Sequence, residues 1–185
     1  MARIPYLEVD DMPEPVRSHF KTLPPMNLFR LLLHSPANAV EFTRLGVSTL
    51  LEQELPDRLR ELAILRLSYL LDCQIQWLQH ANIAQAHGLT KEQLDAIRHW
   101  PDVETFDDLD ESVLRFTDEL TQQGKALDDA CRALHEYLAD RQMVELAIAV
   151  CFNGMIARIT ETFQIEPEST AGSYTLEQLR EDQES

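Results

Sequence analysis

Apolar residues recur at three- and four-residue spacing along most of the chain, with no sustained alternation, so the pattern predicts an all-α protein without strands. Up to Pro24-Pro25 it reads as an extended arm with a short helical piece. A helix follows at about 27–33, and another opens at Ser35-Pro36, where serine caps and proline occupies the first turn. The segment from Asp57 to Gly88 runs for about thirty residues, longer than an ordinary globular helix. A break is therefore expected inside it, at Asp72, which is placed to cap a new helix with Cys73 in its first turn. Gly88 is the stop signal. Thr90-Lys91-Glu92-Gln93 forms a capping box that starts a short helix ending near Trp100-Pro101. Further helices are expected at about 109–123, 129–139 and 141–163, and a polar, mobile tail from Glu166 carries a turn of helix around Leu176–Leu179. Glu61-Leu62-Ala63-Ile64 recurs as Glu145-Leu146-Ala147-Ile148, which agrees with a fold of repeated helical hairpins.

Composition narrows the class. With 185 residues and 44% hydrophobic content the chain has material for one real core. The expected organisation is an N-terminal arm and short helix over 1–34, a helical domain over 35–165, and the tail over 166–185. A formal charge of -16 repels phosphate backbones and anionic lipid, and no basic patch offsets it, so neither nucleic acid nor membrane is an expected partner. The N-terminus lacks the apolar core of a secretory signal, and runs such as Leu31-Leu32-Leu33 are too short to span a bilayer, which predicts a cytoplasmic protein. Three cysteines, an odd number, read as free thiols. Cys131 and Cys151 sit in amphipathic or apolar helical context and are expected in the core. The histidines offer no paired ligand spacing, His80 and His87 included, so no metal site is expected.

The candidate chemistry lies around the predicted break. At 100° per residue, Cys73, Gln76 and His80 fall within roughly 60° of arc and share one helix face. Cys73 and His80 are nevertheless ~10 Å apart along a straight axis. Glu61 would be ~18 Å from Cys73 on an unbroken helix, so it joins the site only if the chain turns near Asp72. A cysteine in a first helical turn, beside an imidazole, is favoured as thiolate, while Asp72 opposes this.

The run from Leu55 to Gly88, with Arg60-Glu61, Ile64-Leu65-Arg66, Asp72-Cys73, Trp77, His80 and Gly88, resembles the core region of the carboxymuconolactone decarboxylase and alkylhydroperoxidase D (AhpD) superfamily. Asn27-Leu28-Phe29-Arg30, His34-Ser35-Pro36 and Asp140-Arg141-Gln142 through Asn153 resemble the flanks of its longer branch. The resemblance implies an AhpD-like helical bundle and a homo-oligomer, a trimer or hexamer. The AhpD pattern is Glu-x11-Cys-x2-Cys-x3-His. Glu61, Cys73 and His80 match it in register, whereas Gln76 stands where the attacking second cysteine belongs. An amide neither attacks a hydroperoxide nor forms a disulfide, so a vicinal redox couple is excluded.

Three readings follow from that resemblance. The first is thiol-based, peroxidase-like (peroxiredoxin-type) chemistry at Cys73, with a Glu61/His80 proton relay and an external thiol reductant. The second is a cofactor-independent decarboxylase acting on a small lactone acid by proton transfer through His80, for which Arg60 and Arg66 are the cations in reach. The third is a non-catalytic small-molecule binder or scaffold. Gln76 and Trp77 are the expected substrate-binding residues, Trp77 as a cavity wall. The first reading ranks ahead because the glutamate, cysteine and histidine persist together.

Overall fold

The computed structural model describes residues 1–168. Among them are nine α-helices and no strand. The helices are α1 (Val16–Lys21), α2 (Asn27–Leu32), α3 (Pro36–Leu51), α4 (Asp57–Leu70), α5 (Gln74–Ala86), α6 (Lys91–Ala96), α7 (Asp108–Gln123), α8 (Asp128–His135) and α9 (Asp140–Phe163). The expected turn at Leu176–Leu179 and most of the tail lie outside the described residues.

Helix α4 is the axis of the bundle and packs against α5, α7 and α9. Residues 59–68 are all buried, the polar Arg60, Glu61, Arg66 and Ser68 among them. A helix buried on every side must satisfy such groups internally, because an unpaired buried charge costs several kcal/mol. Arg66 does so with a two-pronged pair to Asp118 on α7, at 2.6 and 2.9 Å, and a 2.7 Å bond to the Ile97 carbonyl. Arg58 makes a second bridge to α7 through buried Asp110, at 2.6 and 2.7 Å. The glutamate of the repeated tetrapeptide in α9, Glu145, accepts the backbone N–H groups of Glu54 and Leu55 and so fixes the entry into α4.

The helix boundaries follow local chemistry. Pro36 starts α3, and the capping box at Thr90 and Gln93 has both of its reciprocal bonds. Gly88 ends the α5 region with φ +97°, a conformation only glycine adopts without strain. The break comes where the sequence places it, but by a different device: Asp72 takes the left-handed conformation with φ +54°, and Cys73 itself is the N-cap of α5. Asp72 is thus the corner and not the cap.

The N-terminal arm is held by its own small core of Phe20, Leu33 and Ala39, while Leu28 and Leu31 of α2 pack with Ile165 beyond the end of α9. Helix α9 spans 24 residues and is long and apolar enough to cross a membrane, contrary to the expectation from apolar runs. It is half buried within the fold and packs on α3, α4 and α7, with Glu145, Asn153 and Thr160 buried, as a core helix does. Cys131 is half-buried against the core, but Cys151 is exposed, which corrects its assignment as a core residue. It lies on one outward face of α9 with Val144, Ile148 and Met155.

The Arg66 pair gives a direct test of how α4 is held. Asp118→Ala leaves the buried guanidinium without its carboxylate and is expected to lower unfolding free energy by about 3 kcal/mol, the low end for such pairs because Asp118 keeps some exposure. Urea denaturation of the two proteins measures the difference.

Candidate active site

The turn at Asp72 folds α5 back along α4, and this brings together a pair far apart on the chain. His80 Nδ1 on α5 lies 2.7 Å from Glu61 Oε2 on α4. The other carboxylate oxygen, Oε1, accepts from Arg60 Nε at 3.1 Å and Nη2 at 3.0 Å. Arg60 is in turn bonded to Asp57 Oδ1 at 2.5 Å and to the Leu50 carbonyl. Glu61 is fully buried. Burial pushes its carboxyl pKa up, but the His80 imidazole and the Arg60 guanidinium outweigh that and hold it below the usual carboxylate range. An ionised Glu61 fixes the tautomer: Nδ1–H donates to it, and Nε2 is the nitrogen left for a ligand.

His80 keeps 13% exposure and lines a cavity of about 160 Å³ between α3, α5, α9 and the segment preceding α3. Gln76, Gln79, His80 and Ile83, at helical spacing, form the α5 wall, and Phe42, Val47 and Phe152 are among the apolar residues facing them. Gly46 permits this shape, since a Cβ there would stand 3.2 Å from the Phe152 ring. Thr43 and Asn153 also line the cavity; Asn153 lay in the flanking resemblance without an assigned role, and Thr43 had no motif to announce it.

Gln76 lies on this cavity, in the position of the missing cysteine, but its amide is already engaged. Its Nε2 donates to Asn153 Oδ1 at 2.9 Å and to the Asn153 carbonyl at 3.3 Å, and its Oε1 accepts from Ser68 Oγ at 3.1 Å. Ser68 and Asn153 bond onward to the Ile64 and Ala149 carbonyls. Gln76 therefore ties α4, α5 and α9 together. Both ends of its amide take part in that cross-tie, while the side chain remains part of the cavity lining.

Cys73 is elsewhere. It is 1% exposed and lines a different, larger groove with Trp77, Arg98 and Glu161. Burial pushes its thiol up to about 11; the Gln76 backbone N–H pulls the other way, while Glu161 and Asp72 raise it further. These surroundings disfavour the thiolate expected of a first helical turn: Cys73 sits at the cap of α5, buried and near the carboxylates of Glu161 and Asp72. Trp77 belongs to the same groove, packed on the core with the Arg98 guanidinium 4.5 Å over its ring. It does not wall the His80 cavity. Arg60 and Arg66, consumed by their carboxylates, do not line that cavity either.

No functionally curated protein matches the sequence. Solved structures do match the fold. A peroxidase-related protein with an AhpD core from Ralstonia eutropha JMP134 superposes with a TM-score of 0.79 at 18% identity, covering 92% of this chain and 94% of its own. A peroxidase-related protein from Silicibacter sp. TM1040 gives 0.77 at 16% identity, again with 92% and 94% coverage. A debrominase, as a cysteine-to-alanine variant in complex with 2,3,4-tribromopyrrole, gives 0.72 at 18% identity, covering 96% and 95%. The family model for carboxymuconolactone decarboxylases matches residues 37–119, the stretch that contains α4, the Asp72 corner and α5. Over those residues, a little under half of its length, the chain is similar to the carboxymuconolactone decarboxylase family, and it carries the AhpD-like helical fold.

Proposed function

We propose that the protein is a cofactor-independent enzyme of general acid–base chemistry, in which His80 moves a proton on a small molecule held in the 160 Å³ cavity and Glu61 positions and stabilises it. One observation carries this reading: the 2.7 Å bond from Nδ1 to a buried, ionised carboxylate, in a histidine that lines a cavity. Neutral His80 accepts a proton at Nε2 from a carbon or oxygen acid of the ligand. The imidazolium so formed is paired with Glu61, and it returns the proton to another atom of the same ligand or to a group leaving it, so no outside oxidant or reductant is required. A debrominase with this fold, solved with a single-ring ligand, supports small-molecule chemistry here.

The thiol peroxidase reading, with Cys73 attacking peroxide and an external thiol resolving it, is the weaker one. The reactive form of a cysteine is the thiolate. A thiol at about 11 has a thiolate fraction at neutral pH on the order of a hundredfold below that of an ordinary cysteine. It also lines a groove that His80 does not share.

Two measurements separate the readings. In a screen of small cyclic ketones and lactones for solvent-deuterium incorporation, followed by NMR in D2O, His80→Ala is expected to lower exchange of any accepted compound by about 10²–10⁴-fold. Cys73→Ser is expected to leave it within about twofold. Loss of exchange in Cys73→Ser with retention in His80→Ala would sink the proposal. Alkylation of Cys73 with iodoacetamide, read by peptide mass spectrometry, should be slow at pH 7–8 and accelerate only as pH climbs towards about 11, while exposed Cys151 reacts first. Because the folded-state thiol pKa is raised, its contribution to stability is full below about 9 and is lost as pH rises through about 11.

A further inference from the structure

We infer that the His80 cavity selects an uncharged, single-ring ligand, and that the segment 23–29 is the wall that sets its size. The inference rests on the acid–base reading for what happens at His80, but the choice of ligand stands on the lining alone.

Charge comes first. Among the described residues, no Lys, Arg, Asp or Glu side chain lines the cavity. Its polar members are hydroxyls and amides, and several are already spent: Thr49 on the Gly46 carbonyl, Thr43 on its own helix and on His19 Nε2 at 2.7 Å, Gln76 and Asn153 on each other. A carboxylate entering this space would lose its hydration without meeting a dedicated cation, which is the costly case for a buried charge. Among the described residues the imidazole of His80 is the one titratable side chain there, and its Nδ1 side is already taken by Glu61. A neutral ring with one carbonyl loses little on entry, and Gln79, which stands outside the Gln76–Asn153 network, offers it an amide. This sets the chain apart from a decarboxylase of a lactone acid, which must bind an anion.

Size comes next. An apolar cavity of about 150 Å³ holds benzene, so about 160 Å³ is room for one six-membered ring. Leu23, Pro24, Met26, Leu28 and Phe29 form one side of it. All five precede residue 37, where the family match begins. The acid–base pair is thus supplied by the family region, while part of the wall that fits the ligand is supplied by this chain's own N-terminal segment. Leu28 and Phe29 are also packed into the arm's cores, but Met26 stands at the N-cap of α2 and belongs to neither cluster.

The test is binding to the full chain, followed by NMR titration at pH 7 with cyclohexanone, cyclohexanecarboxylate and 1-decalone as probes. Cyclohexanone is expected to bind at least tenfold more tightly than the carboxylate and than 1-decalone, and to shift the His80 ring signals. Val47→Arg, which adds a cation to the α3 wall, should reverse the preference between ketone and carboxylate. Met26→Ala should admit 1-decalone. Should Val47→Arg fail to fold by circular dichroism, the wild-type order of the three probes still decides. Equal or tighter binding of the carboxylate to wild type, or no binding of cyclohexanone up to 10-fold above a millimolar range, overturns the inference. Repeating the titration with His80→Ala keeps the two proposals apart: an intact ketone preference there with no exchange in the wild type would leave ligand selection standing and remove the acid–base chemistry.

Discussion

The structure is organised by one buried carboxylate. Glu61 has no exposed surface, and a charge in that position is tolerated only when its partners are held in place around it. Arg60 serves one oxygen, and Asp57 and the Leu50 carbonyl hold Arg60. The other oxygen is served from a different helix, by His80. The need to satisfy Glu61 therefore fixes the register of α5 against α4. Asp72, at φ +54°, is the corner that makes that register possible.

The same corner divides the polar chemistry into two places. Past it, Gln76, Gln79, His80 and Ile83 turn inward on one face of α5 towards the cavity under α3. Cys73, at the cap, and Trp77 open instead on the groove beside Glu161 and Arg98. The buried amide of Gln76 stands at the boundary and is spent on Ser68 and Asn153. At the position where the AhpD pattern has its second cysteine, this chain has a cross-tie between three helices. The His80 imidazole, paired with Glu61, is left lining the cavity.

Much of this was legible in the sequence. The spacing of apolar residues, Pro36, the Thr90 capping box and Gly88 announced the helices, because these signals act within one or two turns of the chain. The length of the segment from Asp57 to Gly88 demanded a break, and the pairing of Glu61 with His80 followed from the register of the family pattern. What misled was carrying the 100° rotation back to Cys73. That angle holds only inside a helix, and Cys73 has the non-helical φ -91° and ψ 86° of a cap. Gln76 and His80, four residues apart within α5, do share a face as the geometry required.

The sequence by itself thus determined the helices, since local spacing and capping encode these directly, and its resemblance to a family pattern singled out Glu61 and His80, which the fold pairs. Tertiary structure alone decided that the thiol is buried away from the histidine, that Gln76 is consumed by Asn153 and Ser68, and that Arg60 and Arg66 are neutralised before reaching any ligand. Each of these depends on which side chain arrives from a distant helix. Whether a nucleophile, an amide or a cation is free is set by its partners in space, and the partner of Gln76, Asn153, lies 77 residues away along the chain.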